Sequence, residues 1–280
     1  MGADAAGRRP AAQSARATAP LPGACTIARG GRDLTIERGS HVARQAVILA
    51  GGRGTRLAPY TLVFPKPLMP LGETPILEVV LRQLARCGFA DVTLAVGYLA
   101  ELIESYCGDG ERFGLRLRYS REDGPLGTAG PLALVEGLDE PFLVLNGDIL
   151  TTLDYGRFLD EHVASGAAAT VATFERRHTV DFGIVETDGE RVVDYLEKPE
   201  RVYSVSMGVN ALSPAVLERI TAGVRLDMPD LLLDLVRAGE LVRAAPFTGY
   251  WLDVGRHDDF AAAAAEFAAH RAEFLGEDAS

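Results

Sequence analysis

The run Leu49-Ala-Gly-Gly-Arg-Gly-Thr-Arg-Leu57 places Gly51, Gly52 and Gly54 beside Arg53 and Arg56, directly after an apolar, strand-like segment. Glycines let a backbone turn approach a ligand and aim N–H groups at it, and guanidinium groups match phosphate oxygens. The combination suits a phosphate-cradling loop. It is not a Walker A loop, because no G-K-[ST] comes after it, and its G-G-x-G spacing differs from the dinucleotide G-x-G-x-x-G. A tight structural turn would use the same glycines, so the loop gains meaning only with the next motif along the chain. In Phe64-Pro-Lys-Pro-Leu-Met-Pro70 a lysine stands between two prolines, which fix φ and stiffen the segment that carries Lys66.

Two aspartates are placed for a hard cation. Asn146-Gly147-Asp148 ends the apolar run Phe142–Leu145, and Asp253 lies in Gly249-Tyr-Trp-Leu-Asp-Val-Gly255 at the end of another. Ligands of open α/β sheets bind beyond the carboxyl ends of strands, and Mg²⁺ takes carboxylate and phosphate oxygens while keeping waters. A turn or cap would account for either aspartate alone. Pro125-Leu-Gly-Thr-Ala-Gly-Pro-Leu132 precedes a predicted helix, with Gly127 open to a flat ring and Thr128 beside it. Further on lie Asp181-Phe-Gly183, Glu197-Lys198-Pro199 and Ser206-Met-Gly-Val-Asn210.

In this order the motifs resemble those of the sugar-phosphate nucleotidyltransferases, from Gln45 to about Phe260, and L-G-T-A-G-P-L is similar to the form in mannose-1-phosphate guanylyltransferases. The resemblance implies a Rossmann-like core, Mg²⁺ chemistry and no covalent intermediate. It implies that a nucleoside triphosphate, GTP in particular, meets Leu49, Gly51, Gly52, Gly54, Thr55, Arg56, Gly127, Thr128, Asn146 and Gly147. A sugar 1-phosphate, that of mannose, a heptose or a related sugar or cyclitol, would meet Asp181, Gly183, Glu197, Lys198, Ser206 and Asn210. Arg56, Lys66 and Lys198 would act on the reacting phosphates, and Asp148 and Asp253 would hold Mg²⁺. One departure concerns the sugar: Ser206 stands where relatives carry asparagine. On a regular strand Asn210 would share a face with Ser206 and Gly208 and partly compensate.

The elements that position these residues read as α/β, a doubly wound, mostly parallel sheet with a small antiparallel annex. Strands are expected at Ala46–Ala50, Val92–Val96, Leu115–Tyr119, Phe142–Asn146 and Ala169–Phe174, with helices at Ile76–Cys87, Leu99–Tyr106 and Ala129–Leu138 between the first four. The annex is expected from Ile184–Glu186, Val192–Leu196 and Val205–Leu212, with a turn at Asp188 and Gly189. A helix at Pro229–Arg237, strands near Val242 and at Tyr250–Val254, and an Ala-rich helix at Asp258–Phe274 complete the pattern.

A length of 280 residues suits a catalytic domain at 45–280 behind an extension at 1–44, in which a short hairpin at Cys25–Val42 is expected. The extension carries a charge of +4, so the rest of the chain carries −15 of the total of −11. That balance excludes a nucleic-acid or anionic-membrane surface and requires phosphates to be gripped locally. Cys25, Cys87 and Cys107 form neither a disulfide framework nor a metal motif, no apolar run spans a bilayer, and the expected location is the cytoplasm. The five histidines show no ligand spacing. A homodimer or higher homo-oligomer is compatible with the sequence. Other readings stay open: a thymidylyl-, uridylyl- or cytidylyltransferase of the same family; a regulatory paralogue that senses nucleotide sugars, against which five intact charged positions argue; and a metal-dependent glycosyltransferase, which would be expected to show D-x-D where this chain has Asn146-Gly-Asp148.

Overall fold

Apolar alternation from Arg44 builds the first strand, β1 (Arg44–Leu49), in a computed structural model that describes residues 44–255 and 257–276. The expectations for residues 1–43 lie outside the described residues. After β1 the chain makes short 3-10 turns at Thr55–Leu57, Tyr60–Leu62 and Lys66–Leu68, then a small ladder of β2 (Pro70–Leu71) and β3 (Thr74–Pro75). Next come α1 (Ile76–Arg86), β4 (Phe89–Val96), α2 (Ala100–Cys107), β5 (Arg116–Arg121), β6 (Phe142–Asn146), β7 (Ile149–Thr151), α3 (Tyr155–Ser165) and β8 (Ala169–Thr179). The chain continues with β9 (Ile184–Asp188), β10 (Arg191–Leu196), β11 (Glu200–Leu212), α4 (Met228–Arg237), β12 (Val242–Phe247), β13 (Trp251–Asp253), α5 (His257–Ala269) and α6 (Arg271–Leu275).

Seven strands form one sheet in the order β12-β8-β11-β6-β1-β4-β5, and only β11 runs against the others. Both faces are covered. On one face Ile48, Leu94 and Leu145 pack against Leu77 and Leu84 of α1, Ile103 of α2 and Phe158 of α3; on the other Val47 and Val144 meet Leu132 and Leu231 and Leu235 of α4. This is the doubly wound architecture expected, and it leaves the carboxyl ends of β1, β4 and β6 along one edge. β13 pairs only with β7, outside the main sheet.

Four details differ from the expectations. Ala129–Leu138 is not an α-helix: Pro131 has no N–H to give, the N–H groups of Ala129 and Gly130 both reach the Leu226 carbonyl, and only a 3-10 turn forms at Gly130–Leu134. Val205–Leu212 is not part of the annex but belongs to β11, inserted between β8 and β6, so the annex is the β9–β10 hairpin alone. The helix α3 was not expected at all. It starts on Asp154, whose side chain accepts the Arg157 N–H at 2.9 Å, and stops at Gly166 with φ +64°, the ordinary cap at each end. The final helix breaks at His270 into α5 and α6.

Candidate active site

The glycine loop leaves β1 at the sheet edge and is tied down on both sides. Ala50 N–H donates to the Ala95 carbonyl at 2.8 Å, Tyr98 N–H to the Gly51 carbonyl at 3.2 Å, and Gly147 N–H to the Leu49 carbonyl at 3.0 Å. Gly54 takes φ +58°, and a Cβ there would lie 3.0 Å from both Lys66 Cβ and Thr61 Cγ2. The loop's last glycine therefore packs against the lysine segment, which explains why the two motifs occur close together. Arg53 sits over the Tyr98 ring at 5.7 Å. Arg56 reaches Gly255 just beyond β13, where a Cβ would be 3.3 Å from its Nη1. Thr55 is exposed and opens the turn.

Lys66 is buried, and its ammonium lies between the two predicted metal ligands: in contact with Asp148 Oδ2 and 3.8 Å from Asp253 Oδ1. The pairing of β7 with β13 explains the meeting. Asp253 lies opposite Ile149, and Val254 N–H donates to the Asp148 carbonyl at 3.1 Å, so two residues more than 100 positions apart share one small ladder. Burial first, then the Asp148 charge, hold the Asp253 carboxyl above its usual range, against the opposing pull of Lys66 and Arg56. Asp148 Oδ1 is buried without a hydrogen-bond partner among the described residues. No group of three or more metal-ligating side chains occurs among the described residues.

Between these groups opens a cleft of about 710 Å³ lined by Leu49, Gly51, Gly52, Gly54, Arg56, Lys66, Gly127, Thr128, Asn146 and Asp148, together with Arg53, Tyr98, Glu122 and Arg225. The structure thus gathers most of the expected nucleotide-binding residues in one volume. Gly127, at φ +81°, lies so close to the Leu226 carbonyl that a Cβ would be 2.5 Å away. Thr128 also serves the fold, because its hydroxyl accepts the Met228 N–H at 2.7 Å and so caps α4. Gly147 is packed under the loop, and Asn146 lies against Gly208, whose φ of +74° and missing Cβ make room for the amide.

Sequence reading missed Glu122. One carboxylate oxygen accepts the Leu126 N–H at 3.1 Å, while the other lies 2.6 Å from where a Gly51 Cβ would stand and 3.0 Å from a Gly97 Cβ. A signal existed in the acid at the end of β5, but Arg121 and Asp123 flank it and made it look like solvated surface.

The expected acceptor residues are less tightly gathered. Lys198 and Glu197 are exposed after β10, and Lys198 has φ +43°, a strained value for a side chain that no glycine-like freedom excuses. Gly183 packs against the Tyr195 ring, where a Cβ would lie 2.1 Å from its hydroxyl, and Asp181 is exposed beside it. Asn210 and Ser206 share one face, as expected: Ser206 lies opposite Thr173 and Asn210 opposite Val171, two residues apart on β8, although the β11 register shifts between them, four residues advancing against two. Ser206 is exposed; Asn210 is buried opposite Val144, with its Oδ1 lacking a partner among the described residues.

Residues 45–270 match the family described as nucleotidyl transferase. The zebrafish (Danio rerio) mannose-1-phosphate guanylyltransferase catalytic subunit beta is 36% identical over 225 residues, covering 77% of this chain and 62% of that protein. Its Drosophila pseudoobscura pseudoobscura counterpart is 34% identical over 82% of this chain and 63% of its own length. The chain therefore spans a little over three fifths of these relatives. Among solved structures, a Bacillus anthracis protein assigned as a glucose-1-phosphate thymidylyltransferase, with sucrose bound, superposes with TM-score 0.65 at 25% identity, covering 85% of this chain and 97% of that one. HddC from Yersinia pseudotuberculosis, solved with GMP-PN, gives TM-score 0.61 at 25% identity, covering 80% and 99%.

Proposed function

The chain belongs to the nucleotidyl transferase family, and from that premise we propose that it condenses GTP with a sugar-type 1-phosphate, giving a nucleoside diphosphate sugar and pyrophosphate. The observation that carries the proposal is the meeting of Lys66, Asp148 and Asp253, the first two of which line the cleft with the glycine loop. An oxygen of the acceptor phosphate attacks the α-phosphorus in line. The bond to the β-phosphate oxygen breaks, and pyrophosphate leaves with the electron pair. The nucleophile is already anionic, so alignment and charge neutralisation carry the rate rather than a general base. Arg53, Arg56 and the loop amides receive the departing pyrophosphate, Lys66 neutralises charge near the α-phosphate, and Lys198 brings the acceptor phosphate in.

Asp148 and Asp253 fit Mg²⁺. Burial, and then the Asp148 charge, hold the Asp253 carboxyl above its usual range, and Asp148 Oδ1 is a buried acceptor without a partner among the described residues. Asp148 and Asp253 would hold the ion by two carboxylates, and phosphate oxygens and water, which Mg²⁺ also takes, would complete its ligands. When bound, the ion withdraws charge from the phosphate oxygens. Guanine is favoured by Glu122. A carboxylate in a cleft meant for polyphosphate needs donors opposite it, and guanine offers two adjacent ones, N1–H and the 2-amino group. Thymine and uracil offer one donor between two repelling oxygens. No helix among the described residues is long and apolar enough to cross a membrane, and a triphosphate substrate supports a cytoplasmic location.

The test is a matrix of nucleoside triphosphates against sugar 1-phosphates, scored by pyrophosphate release with and without Mg²⁺. Release with GTP and one acceptor class is expected. Silence across the matrix would replace this reading with that of a nucleotide-sugar sensor.

A further inference from the structure

Arg176 and Arg177 are neighbours on β8 with opposite circumstances. Arg177 is satisfied by Glu175 at 2.9 Å and Glu200 at 3.5 Å. Arg176, on the other face of the strand, has no ion pair among the described residues, yet it is held in place: its guanidinium lies 5.1 Å from the Trp251 ring centre and 5.9 Å from that of Phe174. These two rings pack on each other at 5.5 Å. A cation held over two rings, with no ion pair among the described residues, keeps its N–H donors open to an external anion.

Its location says which anion. Trp251 precedes Asp253 by two residues on β13, so both side chains project from one face about 7 Å apart along the strand. The Trp251 indole N–H donates to the Met207 carbonyl at 2.9 Å, which fixes the ring against β11. The Arg176 guanidinium therefore stands roughly one sugar ring beyond the reacting phosphate. Resting on the proposed function, we infer that the acceptor carries a second anionic group at the end of the ring far from its 1-phosphate, and that Arg176 binds it. The class is a sugar or cyclitol 1-phosphate bearing a distal phosphate or carboxylate.

The experiment compares a hexose 1-phosphate with its 1,6-bisphosphate and with the uronic acid 1-phosphate, reading pyrophosphate release with GTP for the wild type, R176Q and R176K. The readout is the ratio of kcat/KM for each charged acceptor to that for the neutral one. A wild-type ratio of roughly tenfold or more for at least one charged acceptor is expected. R176Q should bring that ratio towards one, and R176K should keep part of it. Preference for the bisphosphate alone identifies a phosphate, and preference for the uronate alone a carboxylate. A wild-type ratio at or below one overturns the inference, as does a ratio unchanged in R176Q, which would make Arg176 a prop for Trp251. If GTP is silent with every acceptor, the experiment is repeated with the triphosphate that the matrix identifies. Silence with all of them removes the proposed function and this inference with it, whereas turnover of the neutral acceptor alone removes only the inference.

Discussion

Lys66 shows what a single side chain must reconcile at this site. Its ammonium is the cation between two carboxylates, and those carboxylates are placed to hold a divalent ion. Asp253 is disfavoured as an anion by burial and by Asp148, so at neutral pH its charge is kept at some expense to the fold. Asp253→Asn should therefore raise Tm by about 1–3 °C at pH 7 while lowering turnover by at least about 100-fold. Added Mg²⁺ should raise the wild-type Tm saturably and leave that of the variant nearly unmoved, as thermal melts would show. A variant that loses neither activity nor its response to Mg²⁺ would remove Asp253 from the site. Glu122 carries the second prediction at this scale. ITP lacks the 2-amino group, so the wild type should prefer GTP to ITP by roughly tenfold or more, and Glu122→Gln, which offers one neutral acceptor, should lose most of that preference. Equal GTP-to-ITP ratios in kcat/KM for the two proteins would take base reading away from Glu122.

At the scale of elements, the sequence was legible where local chemistry decided the outcome and not where distant partners did. Three glycines and a proline-bracketed lysine announced a loop and a stiff segment, and Gly54 lying against Lys66 shows why they come together. Nothing local announced that Asp253 would meet Asp148, because that depends on β13 leaving the main sheet to pair with β7. The helix α3 escaped because Gly156 weakens its periodicity, although the Asp154 and Gly166 caps were readable; the β11 register shift between Ser206 and Asn210 could not be counted from alternation, yet its even offset leaves both residues on one face. His162 ties α3 to the sheet, with Nδ1 2.9 Å from Thr170 Oγ1 and Nε2 3.4 Å from Ser213 Oγ. Burial, and then Arg243, hold its imidazole below the usual range. A depressed folded value means that the unfolded chain takes up the proton first, so this contribution is whole above about pH 6.5 and is lost as pH falls below it. Urea midpoints should therefore decline from pH 7 to pH 5, and less steeply in His162→Gln; parallel declines would count against it. Gly127→Ala forces a Cβ against the Leu226 backbone from a left-handed conformation. It should raise the KM for GTP roughly tenfold or more with a smaller change in kcat, since it moves a wall of the base cleft and not the reacting groups.

The whole molecule presents a conflict that neither smaller scale contains. Its net charge is −11, and residues 45–280, which hold the cleft, carry −15 of it, while both proposed substrates are phosphates. Capture must then depend on cations gathered at one edge of the sheet, Arg53, Arg56, Lys66 and Arg225 among those lining the cleft, with the remaining acids acting as a distant repulsive field. The two act over different lengths. Hydrogen-bonded contacts work within about 3 Å, whereas scattered surface acids act over tens of ångströms, and the Debye length falls from about 30 Å at 0.01 M salt to about 10 Å at 0.1 M. Raising salt across that range should screen the repulsion before it weakens the contacts. The association rate for Mg²⁺-bound GTP should therefore rise, by roughly two- to threefold, over that interval, and fall only at higher salt. Stopped-flow binding at constant free Mg²⁺ measures this directly. A rate that falls monotonically from 0.01 M would mean that the local cations already dominate the approach and that the global charge has no part in substrate capture.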